Sequence, residues 1–195
     1  MTTYDMSYWY ALRVTYNREM IVKRYCDDRQ ILNFVPMDYK IRERDGVKTK
    51  KLEPVVHNLI FIKTTRFFIN ELKLKFPIRY MMDHCTGNPI TIPELEMQHF
   101  MAVAGNPDQG IVYLNPDELK LKIGTKVRIT GGLFGGVEGT LVKVRNNKRV
   151  VVEIKGVMVV ATHYIHPSLL ENLEPDLENI EPELENIGSE NLKYR

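Results

Sequence analysis

Between Ile123 and Val144 the chain reads IGTKVRITGGLFGGVEGTLVKV, and five of the protein's twelve glycines fall between Gly131 and Gly139 alone. No other stretch restricts the fold as tightly. Lys126, Arg128 and Thr130 alternate with Val127 and Ile129, the period-two pattern of a half-buried strand. Gly131-Gly132 breaks that strand. Gly135-Gly136 supplies the backbone freedom for positive φ at the tip of a turn. Gly139, inside the second strand from Thr140 to Val144, marks a bulge or a close backbone approach. A phosphate-binding loop is the competing reading of so many glycines, but neither GxxxxGK[ST] nor a strand-to-helix GxGxxG is present.

The chain's 195 residues, 44% of them apolar, suffice for one moderate core or two small ones. Its net charge of +2 hides an asymmetry. Glu171 to Arg195 carries eight acids against two bases, so residues 1–170 hold 25 bases against 17 acids. A basic body fits contact with a polyanion or, more blandly, a solvated surface. Cys26 and Cys85 form neither a CxxC pair nor a disulfide framework, and no basic n-region precedes an apolar stretch at the N-terminus. No run approaches the roughly 18 apolar residues of a membrane span. A reduced, soluble, cytoplasmic protein is expected.

Tyr8 to Thr15 is aromatic and β-branched, a strand leading through Asn17, a candidate N-cap, into a helix from Arg18 to about Asp28. In that helix Ile21 with Tyr25 and Val22 with Cys26 form one apolar side. KIRER and VKTKK flank Asp45-Gly46, a strong two-residue hairpin signal. The basic side chains of this ribbon suit solvent or nucleic acid. EPVVHNLIFIK, from Glu53 to Lys63, reads as a central strand with an irregularity at His57-Asn58. Arg66 to Lys75 has helical spacing, Pro77 ends it, and Ile78 to Met82 returns as a strand. Thr91 to Glu94 has capping-box spacing for a second helix, whose stripe is Met97, Phe100, Met101 and Ala104. Gly105 to Leu121 lacks a clean period and reads as a linker. Beyond the glycine-rich turn, Val142 to Arg145 and Lys148 to Ile154 flank Asn146-Asn147, and Lys155-Gly156 turns into Val157 to Thr162. Five such strands suit a small barrel with Val127, Ile129, Leu141, Val151 and Val159 inside.

The tail repeats ENLEPDL, ENIEPEL and ENIGSE. Its Leu and Ile residues have heptad spacing, but Pro175 and Pro182 would each cost a helix about 3 kcal/mol. A disordered acidic tail is expected from residue 175. Catalysis finds little support. The five histidines include no HExxH, Cys85 beside His84 lacks further ligands at zinc spacing, and no serine sits in a GxSxG elbow. No metal, cofactor or enzymatic activity is expected.

The unit from Ile123 to Val144 resembles the KOW motif, with Gly131, Gly132, Gly135, Gly136 and Gly139 as its glycines. Trp9-Tyr10 opening the first strand, Val35-Pro36, and EPVVHNLIFI with Glu53, Pro54, Asn58 and Phe61 resemble the N-terminal domain of the NusG family. The resemblance covers about Tyr8 to Glu174. It implies an α+β protein. Residues 1–106 would be an NGN domain with an antiparallel sheet flanked by helices, 107–121 a linker, 122–174 an SH3-like KOW barrel, and 175–195 the acidic tail, which has no counterpart in the family. VVVEIKGVMVVATHYIHPSLLENL looks like the UpxY-like antiterminators of polysaccharide operons.

By resemblance, the chain is a monomeric elongation and antitermination factor that binds RNA polymerase and suppresses pausing or termination at capsular or exopolysaccharide operons. Tyr10, Val56, His57, Leu59, Phe61 and Met81 would meet the clamp of the largest subunit. His57 and Leu59 stand where the family has proline and tyrosine. Phe68, Ile69 and Asn70 would reach the opposite pincer. Thr15, Tyr16, Arg18, Lys23 and Arg24 would contact exposed non-template DNA or nascent RNA. The KOW barrel would recruit a small-subunit ribosomal protein or Rho. A general NusG-type factor and a ribosome-associated KOW RNA-binding protein are the alternatives.

Overall fold

A computed structural model describes residues 6–114, 124–144 and 146–173. Residues 115–121 of the expected linker, Arg145 and the expected acidic tail (175–195) lie outside the described residues. The N-terminal sheet is built on β1 (Tyr8–Val14), with β5 (Leu59–Thr64) antiparallel on one side and β6 (Ile78–Tyr80) on the other. β2 (Asn33–Phe34) extends it beyond β5, and β7 (Thr91–Ile92) pairs with the start of β1. Successive residues of β1 point to opposite faces. Tyr10, Leu12 and Val14 meet α1 (Glu19–Asp27) and α2 (Arg66–Lys75) through Val22, Cys26, Ile69 and Leu72. Trp9 and Ala11 face α3 (Glu94–Ala104) through Met97, Phe100 and Val103. Both faces are covered, so the LIFI run of β5 is apolar throughout.

Two expected caps are not formed. Asn17 and the preceding Tyr16 have left-handed φ of 51° and 62°, Arg18 occupies the cap position, and no side chain caps α1. Thr91 is drawn into β7 opposite Tyr10, so it cannot cap α3, which starts without a side-chain cap at Pro93. In place of that cap, the first-turn Glu94 carboxylate accepts from Trp9 Nε1 at 3.1 Å and pairs with Lys63 Nζ at 2.8 Å.

β3 (Met37–Arg44) and β4 (Val47–Pro54) pair only with each other, in a ribbon closed by Asp45 and Gly46 at φ 53° and 77°. Two consecutive left-handed residues are what a type I′ hairpin requires. The base of the ribbon is fixed by Arg42–Glu53 and Lys50–Asp108 ion pairs, both 2.7 Å.

The second sheet comprises β8 (Val112–Leu114), β9 (Thr125–Ile129), β10 (Glu138–Val144), β11 (Asn147–Ile154), β12 (Met158–Tyr164) and β13 (Leu170–Asn172). Its order is β13-β9-β10-β11-β12-β8. Among the described residues the path stays open, with β13 and β8 as its ends, in place of the expected closed barrel. β8 also falls inside the expected linker: three residues of that stretch pair with β12. In the glycine-rich turn, Gly132 and Gly136 have φ of 76° and 86°, and Gly136 N–H donates to Ile129 O at 2.7 Å. The five residues expected to share one core divide between two faces. Val127, Ile129 and Leu141 join the large cluster that includes α3, whereas Val151 and Val159 pack with Val142, Val144 and Ala161. An open sheet has two faces to cover, and strict alternation within one strand does not say which face a neighbouring strand's residue shares.

One apolar cluster joins the two sheets. Val150, Val152, Ile154, Met158 and Val160 of β11 and β12 belong with Phe100 and Met97 of α3 and with Phe61 and Leu59 of β5.

Candidate functional site

The structure does not unite the six residues expected at the polymerase clamp. Tyr10 is buried on the side of the sheet covered by α1 and α2, its ring 5.5 Å from that of Tyr80. Leu59 and Phe61 are buried on the other face, with Phe61 5.8 Å from Phe100. Val56 and Met81 are half-buried beside them. His57 is exposed, its Nδ1 3.3 Å from Glu19 Oε1. The separation follows from register. Ala11 lies opposite Phe61, and Tyr10 opposite Ile62, so Trp9 and Ala11 share the face of Phe61 and Tyr10 cannot. The face carrying Leu59 and Phe61 is also continuous with α3, itself packed on β11 and β12.

At the expected second contact, Ile69 is buried between α2 and the sheet, Phe68 is half-buried and Asn70 is exposed. The exposed aromatic here is Phe67, at 68%. A three-and-four spacing fits two adjacent stripes of a helix, and only the packed structure tells which of Phe67 and Phe68 faces in.

The expected nucleic-acid residues gather around one built junction. Val14 N–H donates to Asn58 O at 2.9 Å, Thr15 N–H to Pro77 O at 3.2 Å, and Asn17 N–H to Asn58 Oδ1 at 2.9 Å. Tyr16, Asn17 and Asn58 all hold left-handed φ, so the expected irregularity at His57-Asn58 is a lock between two loops. Non-glycine residues in that region store strain that surrounding contacts must hold. Glu19 is 2% exposed, and its Oε2 and the nearby Thr15 Oγ1 are buried without a hydrogen-bond partner among the described residues.

From this junction Tyr16 projects at 79% exposure, with the Arg18 guanidinium 5.7 Å from its ring centroid. Arg24 is exposed on the first helix. Lys23 is engaged internally, 3.0 Å from Asp27 Oδ2. Hydrogen bonds from Asn33 and then Lys23 hold the Asp27 carboxyl below its ordinary range. Tyr25, expected as an apolar helix residue and as an alternative to Tyr16 for stacking on an unpaired base, is half-buried. Its ring carries the Arg29 guanidinium at 3.6 Å, and its hydroxyl accepts from Lys75 Nζ at 2.7 Å. Arg13 and Arg79, exposed at opposed positions of β1 and β6, also escaped the sequence reading. Pairing register would have found them.

A cleft of about 750 Å³ opens between the start of α3 and β10–β11, lined by Leu95, Glu96, His99, Lys126, Glu138 and Lys155 among others. Its charges are mixed. Among the described residues no three His, Cys, Asp or Glu side chains converge to hold a metal ion, and no helix is long and apolar enough to cross a membrane. Cys26 is fully buried, and burial pushes its thiol up to about 11.

Residues 7–101 match the sequence model of the NusG family, described as transcription termination factor nusG. A solved structure titled "Domain interaction in Thermotoga maritima NusG" is similar over 86% of this chain and 98% of that one, at 17% identity and a TM-score of 0.41. No curated protein matches the sequence.

Proposed function

We propose, because residues 7–101 match the sequence model of the NusG family, that the chain is an elongation and antitermination factor of the UpxY-like kind. It binds RNA polymerase across the clamp and suppresses pausing or termination at capsular or exopolysaccharide operons. The family match carries the reading. The basic and aromatic junction at Tyr16, Arg18 and Arg24 supports it, because such a surface suits an unpaired strand displaced beside the polymerase.

Of the expected clamp contacts, Val56, His57 and Met81 reach the surface, and Leu59 and Phe61 lie beneath them. Full use of that face requires β11 and β12 to leave α3, so the polymerase competes with the second sheet for one apolar surface. The released sheet then serves a second partner, a small-subunit ribosomal protein or Rho. Asn70 with Phe67 and Phe68 meets the opposite pincer. A factor bridging both pincers slows pausing only by the difference in its affinity for the closed and open states. A few-fold effect needs about 1 kcal/mol of such preference.

In vitro transcription across a polysaccharide leader, with the cognate polymerase, tests this. The wild-type chain should raise read-through, and Val56→Asp with Met81→Asp should abolish the effect while the far-UV CD spectrum stays unchanged. If the wild-type chain changes read-through on no such leader, antitermination is wrong and a general elongation or ribosome-linked role replaces it.

A further inference from the structure

The last described residue, Leu173, stands at the edge of the cleft between α3 and the second sheet. It lines that cleft, it is half-buried, and its N–H donates to Lys126 O at 2.9 Å, so the point where residue 174 begins is fixed there. The α3 wall contributes Leu95, a large apolar side chain that is 56% exposed, and β11 lines the cleft at Val151 and Val152. The charges around it nearly balance. Lys126, Lys155 and His99 stand against Glu96, Glu138 and Glu153, and Glu138 is already paired with Arg128 at 2.6 Å. An occupant of this cleft is therefore selected by its apolar side chains more than by its charge.

The sequence that follows Leu173 supplies such side chains. Leu177, Ile180, Leu184 and Ile187 continue from Leu173 at intervals of four, three, four and three residues. The series thus begins on a residue that the cleft already holds. Low hydrophobicity and high charge keep a segment solvated, and seven acids against two bases in residues 174–195 meet the second condition, but a regular Leu and Ile series works against the first. Pro175 and Pro182 would interrupt a helix, so the series cannot make a coiled-coil seam with a copy of itself, and its apolar positions need another surface. The cleft is the nearest one along the chain. Four extended residues span up to about 14 Å, enough to carry Leu177 from the rim into the cleft. The rival surface is the basic ribbon, where Lys40 lies directly opposite Lys51. That ribbon would hold the tail by charge, an attraction that salt screens.

We propose that residues 174–187 dock in this cleft of their own chain, with Leu177 and Ile180 against Leu95 and β11, and that they brace the second sheet against α3. The brace does not depend on which partner the first domain meets. Hydrogen exchange read by mass spectrometry tests it, because amides held by a docked segment exchange only as fast as the segment lets go. The samples are the full chain, its Leu177→Ser with Ile180→Ser variant and its Leu95→Ser variant, with a synthetic peptide of residues 174–195 as the undocked reference. Each is measured at about 0.1 M and about 1 M NaCl, where the screening lengths are about 10 Å and 3 Å. Leu95 is exposed and the two tail positions lie outside the described fold, so exchange in β1 and β5 should stay at the wild-type rate in both variants. In wild type, residues 176–187 should exchange at least tenfold more slowly than in the peptide at both salt concentrations. Both variants should return them to the peptide's rate and speed exchange at residues 93–99 of the α3 wall. Exchange at the peptide's rate in wild type overturns the brace. Protection that high salt removes and the serine variants keep also overturns it, and moves the tail to a basic surface. Protection that survives Leu95→Ser excludes this cleft, and protection that grows with protein concentration gives the tail to a second copy of the chain.

Discussion

At position 139 a single hydrogen atom sets how closely β10 can approach β11. A Cβ built there would lie 2.5 Å from Val151 O and 2.8 Å from Val150 Cγ1, so a strand of the sheet has to move to admit it. Gly139→Ala should therefore cost about 1–3 kcal/mol, the range of overpacking in a filled core. The urea midpoint measures this, and a midpoint equal to wild type would show that β10 shifts without loss. The glycine was legible in the sequence because its constraint is steric and local: a strand pattern interrupted by glycine implies something close by. Tyr10 was not legible as a core residue of the face covered by α1 and α2, since which side of a strand meets which layer depends on the pairing of Tyr10 with Ile62, more than fifty residues away. Asn17 failed as a cap because its backbone is held left-handed, at φ 51°, where a cap residue is extended.

Element existence was readable wherever an apolar period was long. The three helices, the Asp45-Gly46 ribbon and the β5 strand all appear, with ends within a few residues of expectation. What fixes those elements was less readable. Helix α3 is anchored by Glu94, whose carboxyl is held below its ordinary value first by the hydrogen bond from Lys63, then by Gln98, by the Lys63 charge and by Trp9. Those partners come from β5, β1 and the helix itself, so the capping-box spacing from Thr91 pointed at the right helix for the wrong reason. A carboxyl lowered on folding contributes stability that is present above its unfolded value of about 4.5 and is lost as pH falls through the folded value. Wild type should consequently lose melting temperature on acidification from pH 5 to pH 3 more steeply than Glu94→Gln, which cannot titrate there. Thermal melts at half-unit pH intervals compare the two, and parallel curves would remove Glu94 as a pH-dependent anchor.

At the scale of the whole molecule, the sequence implies two domains joined by a linker, and in the structure one of the three apolar clusters of the described residues draws on both sheets. That expectation arose because each half has its own strand pattern, and nothing in a pattern says that the outer face of α3 will be covered by β11 and β12. The arrangement has a thermodynamic consequence that independent domains would not show. Phe100 sits at the join, its ring 5.8 Å from Phe61 and 6.2 Å from Phe34, in the cluster that also holds Val152 and Val160. Truncating such a residue costs about 3–5 kcal/mol, and here the loss falls on both sheets together. Trp9 is the protein's one tryptophan and is a residue of the first sheet, so its fluorescence reports on the surroundings of that sheet while far-UV CD follows both. If the join holds in solution, the two signals coincide in urea for wild type, as cooperative unfolding demands. In Phe100→Ala both midpoints should fall together. In Val152→Asp, which places a charge in the join from the second sheet, the CD transition should precede that of Trp9. Separate transitions already in wild type would mean that the two sheets part without help, and that the polymerase meets the face of Leu59 and Phe61 with no competitor on it.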